Sequence, residues 1–483
     1  MTEASNLRIA VVGGGPGGYA AAFLAADLGM KVTLIDPEVN PGGVCLYRGC
    51  IPSKALLHVA KLVNETRHAV NWGVEYADPK IDLGRLRGWK DGVIKKLTGG
   101  LGILSKQRSV RYVQGRASFE NSTTLRVSKA DGGSENLSFE RIVLATGSRP
   151  AIIPSLKLDS PRVMDSTAAL DLSDVPSSLL VIGGGYIGLE LGTVYAALGS
   201  KVSVVEMLPG LLPGADRDLV LPLHKRVEKT FASILLNTTV ASMQEEANGI
   251  RVTFQSQASS AAAIETKQAA PLQQVFDRVL VSVGRKPNSE IAGLDKTGVR
   301  LGARGFIQVN KQLQTGDPAI YAIGDVVGEP MLAHKASHEG RTAVEAIAGQ
   351  RVAFEPNAIP AVVFTDPEVA WCGVTETQAQ QQGREIKVAK FPWAASGRAL
   401  TIDRTEGMTK LILDPQTERV LGVGIVGAGA GELIAEGVLA IEMGALAKDI
   451  ALTVHPHPTL SETVMEAAEV FFGTATDIYR PRK

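Results

Sequence analysis

After a polar lead, the chain turns apolar at Leu7 to Val12, an aliphatic, largely β-branched run of the kind that reads as a strand buried on both faces. The glycine-rich stretch GGGPGG interrupts it, an alanine-rich helical segment follows, and a second apolar run ends on Asp36. Strand, tight turn, helix and strand in that order predict a nucleotide-binding βαβ unit. The same order returns 170 residues later in LLVIGGGYIGLELGTVYAALGSKVSVVE, where the second run ends on Glu206. Even LGMKV and LGSKV fall in register between the copies. Elsewhere no uninterrupted apolar run reaches the ~18 residues that a membrane span needs.

The repeat carries chemistry as well as shape. Gly13, Gly15 and Gly18 satisfy the G-x-G-x-x-G spacing, and Gly183, Gly185 and Gly188 repeat it. The first glycine of each set allows the tight turn. The second lets backbone approach a pyrophosphate, and the third lets helix and strand pack closely. The helix N-terminus then presents partial positive charge to the phosphates. In both copies 23 positions separate the first glycine from the acid, which would accept bonds from ribose hydroxyls. Two dinucleotide sites are therefore predicted. Glu206 would bond a free 2′-hydroxyl and repel a 2′-phosphate, and no arginine follows it in VVEMLPG, which favours NAD over NADP.

Composition narrows the partners. At 483 residues the chain has length for roughly three domains. Lys plus Arg equal Asp plus Glu at 50 each, so no global basic field recommends nucleic acid or an anionic membrane surface. The first residues show neither a secretory nor a transit pattern, which makes a cytoplasmic location the expectation. Structural disulfides are rare in that compartment, and a close cysteine pair there is more often catalytic or metal-binding.

Two of the chain's three cysteines, Cys45 and Cys50, stand five positions apart in GGVCLYRGCIPSK. A metal site needs about four ligands, and only His58 and His68 lie nearby, without recognisable spacing. Two buried structural thiols are a second reading, although Tyr47-Arg48-Gly49 does not read as core. A redox pair is the third. It needs Cα atoms ~4.4–6.8 Å apart, whereas five positions of ideal helix rise ~7.5 Å. The segment would therefore have to bend, at Gly49. Pro52 fits the first turn of a helix through SKALLHVAKLV, and Cys50 would sit at its N-terminus, where a thiolate is stabilised. Residue types alone leave these readings open.

The motifs together, GGVC…GCIPSKALLH, IGLELGTVYAALGS, AIGDVVGEPMLAHKA, FPWAASGRA and HPHPTLSE, span essentially the whole chain. In this order they resemble the class I flavin-dependent pyridine nucleotide-disulfide oxidoreductases. That resemblance implies an α/β fold of two Rossmann-like dinucleotide-binding domains plus a C-terminal α+β dimerisation domain. Its expected divisions are 1–150 for FAD, 151–280 for NAD, 281–352 as a central region returning to FAD, and 353–483 as the interface domain. It implies that Cys45 and Cys50 form a redox-active disulfide. Gly13, Gly15, Gly18 and Asp36 would hold FAD, with Gly115, with Asp325 on the ribityl chain, and with backbone around Ala333 at the ring. Lys54 would reach the flavin and pair with Glu190, while Gly183, Gly185, Gly188, Glu206 and Gly284 would serve NAD. His457 would be the acid–base, oriented by Glu462, with His455 a structural histidine. Tyr186 is either a cover over the flavin or a packing residue.

The resemblance further implies a homodimer in which His457 faces the disulfide of the other subunit. The substrate it implies is dihydrolipoamide carried on lipoyl domains of 2-oxo acid dehydrogenase acyltransferase subunits. One departure is Tyr47-Arg48, where the family usually has Asn-Val. A glutathione reductase is a rival reading, but it expects NADP-binding arginines. Mercuric and large thioredoxin reductases use extra C-terminal redox residues, whereas FFGTATDIYRPRK has no cysteine. A non-enzymatic binding protein on the same fold is the rival from another class. Cys372 is expected as a packed thiol, and the Ala/Ser/Gln-rich stretch Gln255 to Gln274 as a surface hairpin or loop.

Overall fold

The computed structural model describes residues 6–129, 131–256 and 273–479. The aliphatic runs become parallel strands whose residues are almost wholly removed from water. Arg8–Val12 pairs in parallel with Lys31–Asp36 on one side and Arg141–Leu144 on the other. Ile320–Ala322 and Arg111–Asn121 extend this parallel sheet at its two ends, and Thr124–Lys129 and Ser134–Ser138 continue it antiparallel. The helix Pro16–Asp27 buries Ala21, Ala22 and Ala25. It packs on the helix Ala333–Ile347 at glycine distance, since a Cβ on Gly340 would lie 2.6 Å from the Gly17 carbonyl.

The second repeat builds a second parallel sheet in the order Ser233–Leu235, Lys201–Val205, Ser178–Ile182, Arg278–Val281, Val163–Met164. A three-stranded antiparallel sheet, Thr238–Glu246, Gly249–Ser256 and Gln273–Phe276, accompanies it. The stretch expected as a surface hairpin or loop lies outside the described residues except for its ends, which belong to the last two of these strands.

The C-terminal part is an antiparallel sheet ordered Ala361–Val363, Glu368–Gly373, Val420–Gly427, Met408–Leu413, Lys387–Pro392. The helices Ala430–Glu442 and Glu462–Phe472 supply much of its core. The expected α/β class, with two Rossmann-like units and an α+β C-terminal part, is therefore present. No helix among the described residues is long and apolar enough to cross a membrane.

Two features lock these parts together. Leu56, Leu57 and Ala60 of the helix Cys50–His68 share one apolar cluster with the second parallel sheet and with Val363, Val369 and Val426 of the antiparallel one. Lys410, 1% exposed, sets its ammonium 2.7 Å from Asp216, 2.8 Å from Asp218 and 2.7 Å from Glu376. Those three carboxylates are the one group among the described residues with metal-like spacing, and a lysine fills it. Cys372 is buried, and that burial pushes its thiol up to about 12.

Candidate active site

The two glycine turns are built alike. Gly13 and Gly183 take φ values of +106° and +107°, open to glycine at little cost. A Cβ on Gly13 would stand 2.2 Å from the Ala145 carbonyl, and one on Gly183 2.6 Å from that of Ser282. Added Cβ atoms on Gly18 and Gly188 would fall 1.8 and 2.3 Å from the carbonyls of Gly13 and Gly183, so the third glycine of each set is a packing requirement. The middle glycines differ in kind. A Cβ on Gly15 would meet only the Gly43 Cα, at 4.0 Å, and one on Gly185 nothing within 4 Å. These are the points left open for a ligand.

The acids brace the turns. Asp36 Oδ2 accepts from Gly14 N at 2.5 Å and Oδ1 from Glu38 N at 2.9 Å. Glu206, one residue beyond its strand, repeats this with Gly184 N at 2.7 Å and Leu208 N at 2.8 Å. Burial raises the Asp36 carboxyl above its ordinary range, against the two backbone N–H groups that lower it.

A cavity of about 1380 Å³ opens beside the first turn. Gly13, Gly15, Asp36 and Gly115 line it, as do Cys45, Cys50, Lys54 and Glu190, and Asp325 and Ala333. Residues drawn from both repeats and from the later return of the chain thus meet in one space. Gly18 is packed behind the turn. Gly183, Gly185, Gly188, Glu206 and Gly284 are not on this cavity; they form the second turn and its neighbourhood, where Gly284 takes φ +112°.

The cysteines sit at a corner between two helices. Gly43–Arg48 ends, Gly49 follows, and Cys50–His68 begins with Cys50 at its N-terminus and Pro52 in its first turn, as the sequence suggested. A Cβ on Gly49 would lie 2.9 Å from the Val44 carbonyl, so the corner needs a glycine. Both sulfurs are free thiols. They are unequal: the hydrogen bond from the Cys45 thiol brings Cys50 down to about 7, assisted by Lys54 and opposed by burial. Its bond to Cys50, and then burial, drive Cys45 far above the ordinary thiol range. Of the two, Cys50 is the one that ionises more readily.

Lys54, four residues after Cys50, places Nζ 2.8 Å from Glu190 Oε2 and 4.3 Å from the centre of the Phe364 ring. Glu190 also accepts from Ser53 Oγ at 2.9 Å and from Phe364 N at 3.0 Å. Asp325 accepts from Ser148 Oγ at 2.5 Å, and Arg285 Nε donates to the same hydroxyl at 2.7 Å. Ser53, Ser148 and Phe364 were not singled out in the sequence. Ser53 stands inside the quoted cysteine motif and was within reach, whereas Ser148 and Phe364 are brought in only by tertiary packing. Tyr186 lines the cavity with 42% of its surface exposed.

His457 Nδ1 lies 2.9 Å from Glu462 Oε1, and Thr459 N donates to Glu462 Oε2 at 2.8 Å. Burial raises the Glu462 carboxyl, but these two contacts more than offset it and leave the group below its usual range. The His457 side chain is 79% exposed, and the pair is not on the cysteine cavity of its own chain. His455 is 6% exposed in its side chain, with Nδ1 on the Thr453 carbonyl and Nε2 on Glu436. Both its nitrogens are engaged.

Residues 7–340 match the profile of the pyridine nucleotide-disulphide oxidoreductases, and residues 359–468 match that of their dimerisation domain. The chain belongs to the pyridine nucleotide-disulphide oxidoreductase family. Among its relatives is the dihydrolipoyl dehydrogenase of Haemophilus influenzae, 49% identical over 478 residues, covering 99% of this chain and 98% of that one. The dihydrolipoyl dehydrogenases of Vibrio cholerae and Geobacillus stearothermophilus are 47% and 45% identical, over 99% and 97% of this chain and 98% and 97% of theirs. Among solved structures, LpdA from Mycobacterium tuberculosis superposes with a TM-score of 0.87 at 28% identity, covering 96% of this chain and 99% of that one. The HOCl-induced flavoprotein disulfide reductase RclA from Escherichia coli superposes with a TM-score of 0.82 at 27% identity, covering 95% and 98%.

Proposed function

We infer that this chain is a dihydrolipoyl dehydrogenase, oxidising protein-bound dihydrolipoamide and reducing NAD through FAD. The observation that carries the reading is the pair Cys45 and Cys50, with the pKa of Cys50 held the lower of the two, on a cavity that also holds a glycine turn, a braced acid and the Lys54–Glu190 pair. The cavity suits FAD. Gly15 leaves room for a phosphate, Asp36 keeps lone pairs for ribose hydroxyls, and Asp325 with Ala333 brings polar backbone and carboxylate to the same space as Cys50. When bound there, FAD supplies the two-electron relay between the cysteine pair and NAD.

The chain's own residues do the rest. Starting from the Cys45–Cys50 disulfide, a substrate thiolate attacks the Cys45 sulfur, the S–S bond breaks, and Cys50 leaves as a thiolate. The second substrate thiolate then attacks the substrate sulfur bonded to Cys45, so that the substrate's S–S bond forms, the bond to Cys45 breaks, and Cys45 takes up a proton. On the product side of this exchange Cys50, the more readily ionised of the two, carries the negative charge and Cys45 the proton. His457, its Nδ1–H held by Glu462, accepts the substrate proton at Nε2. Lys54, held by Glu190, sets a cation at the cavity to stabilise negative charge that develops there.

Within one chain His457 is exposed and away from the cysteines, so this chemistry calls for a homodimer in which a second copy closes the site; the dimerisation-domain match supports that reading. The natural dithiol is the lipoyl domain of the acyltransferase subunit of a 2-oxo acid dehydrogenase complex, and with it comes a cytoplasmic location. Glu206 at the second turn supports NAD as the acceptor.

The test is to add dihydrolipoamide anaerobically to the purified protein, record its visible spectrum, and then add NAD. A flavin spectrum that responds, followed by NADH, is expected. A flavin that responds only to reduced glutathione would favour the glutathione reductase reading, and absence of any flavin would favour the binding-protein one.

A further inference from the structure

The cavity wall bears a charge that the glycine turn does not explain. Arg48 ends the helix Gly43–Arg48, two residues before Cys50, at the position where the resembled motif has an uncharged residue. Its guanidinium is ion-paired to Glu38, and both residues line the cavity. Glu38 N donates to Asp36 Oδ1 at 2.9 Å, and Asp36 Oδ2 accepts from Gly14 N at 2.5 Å. A continuous polar chain thus runs from Arg48 to the glycine turn.

A tether for the loop after Asp36 is not what the arginine adds, because that loop is already tied down. Tyr112 Oη donates to the Glu38 carbonyl at 2.9 Å, Gln114 Nε2 to the Pro37 carbonyl at 3.1 Å, and Tyr47 Oη to the Asn40 carbonyl at 3.0 Å. What Arg48 adds is positive charge at this particular stretch of wall: Lys54, Arg116, Arg149 and Arg285 also line the cavity, but Arg48 is the cation paired with Glu38, two residues after Asp36. Asp36 and Glu38 both line the cavity that would take FAD, and their negative charge disfavours a diphosphate nearby. The charge of Arg48 is felt at Asp36, where it favours the carboxylate. A guanidinium can keep one edge on a carboxylate and turn another to a phosphate oxygen.

We propose that Arg48 is a cofactor-contact residue whose guanidinium serves the anionic diphosphate of FAD from its place beside Glu38 at the cavity wall. The proposal rests on the FAD reading given above. Its side chain is 39% exposed, so the contribution is partly screened and falls with salt.

FAD titration of the flavin-stripped protein, followed by quenching of flavin fluorescence at several ionic strengths, tests it. R48V is expected to raise the Kd by about tenfold or more and to flatten its dependence on salt. R48K should fall between R48V and wild type, and E38Q, which frees the guanidinium, should not weaken binding. A Kd for R48V within about twofold of wild type would overturn the proposal. Equal weakening by E38Q and R48V with an unchanged salt slope would also overturn it, since that is the behaviour of a tether. If R48V does not refold, R48K and E38Q carry the comparison. Wild-type protein that takes up no FAD would instead overturn the cofactor reading itself.

Discussion

Lys54 Nζ lies 2.8 Å from Glu190 Oε2, although the two residues are 136 positions apart, and Glu190 receives two further donors while only 3% exposed. One carboxylate thereby fastens the cysteine-bearing helix to the helix of the second glycine turn and to the strand end at Phe364. Glu190→Ala leaves Lys54 Nζ, Ser53 Oγ and Phe364 N without their acceptor. It is expected to destabilise the fold by about 3 kcal/mol, measured by denaturant unfolding, with Glu190→Gln losing less. Equal stability of Glu190→Ala and wild type would refute the fastening role.

The asymmetry of the thiols sets a pH dependence. Cys50 titrates at about 7, so in the reduced protein it is a thiol below that pH and a thiolate above it. Its alkylation by iodoacetamide should accelerate as pH rises through about 7 and then level off, with Cys45 unreactive over the same range. Cys45→Ala removes the largest influence holding Cys50 down and should move the midpoint upward. An unmoved midpoint would show that the hydrogen bond is not the cause.

Glu462 has both oxygens engaged, one with the His457 ring and one with Thr459 N. His457→Gln should lower kcat/KM for dihydrolipoamide by about 10²–10⁴-fold, and Glu462→Gln should lower it in the same direction but less. Electron flow from NADH to a soluble one-electron dye needs no proton transfer from a dithiol and should persist in both variants. Parallel loss of the dye reaction would mean that the pair supports the fold rather than the proton.

The glycines of the second turn separate folding from binding. Gly188→Ala forces a Cβ to 2.3 Å from the Gly183 carbonyl and should cost about 1–3 kcal/mol of stability. Gly185→Ala meets nothing within 4 Å, so it should fold normally with its flavin spectrum intact and raise the KM for NAD. Thermal unfolding and NAD titration on the two variants distinguish the cases; a Gly185→Ala variant with wild-type KM would place NAD elsewhere.

What could be read from sequence was what is local in the chain. The spacing of Gly13, Gly15 and Gly18, the acid 23 positions on and the repeat at Gly183 are each set within a βαβ unit, and the acids stand against their glycine turns in both copies. The start of the cysteine helix was legible too: Cys50 stands at its N-terminus after Gly49, with Pro52 in the first turn. Glu190 was found through a motif, but its bond to Phe364 N was not, because that amide arrives from a different sheet. The cluster of Lys410 with Asp216, Asp218 and Glu376 was equally hidden, its members converging from separate elements with no shared spacing.

Glu206 is at once the wall that would face an incoming ribose and the strut that keeps its glycine turn in shape, through Gly184 N and Leu208 N. Selectivity and mechanical support are thus fused in one side chain. Trimming it to admit a 2′-phosphate would slacken the very turn that must grip the diphosphate. A descendant of this chain with the opposite cofactor preference would therefore have to replace a brace before it could profit from removing a charge.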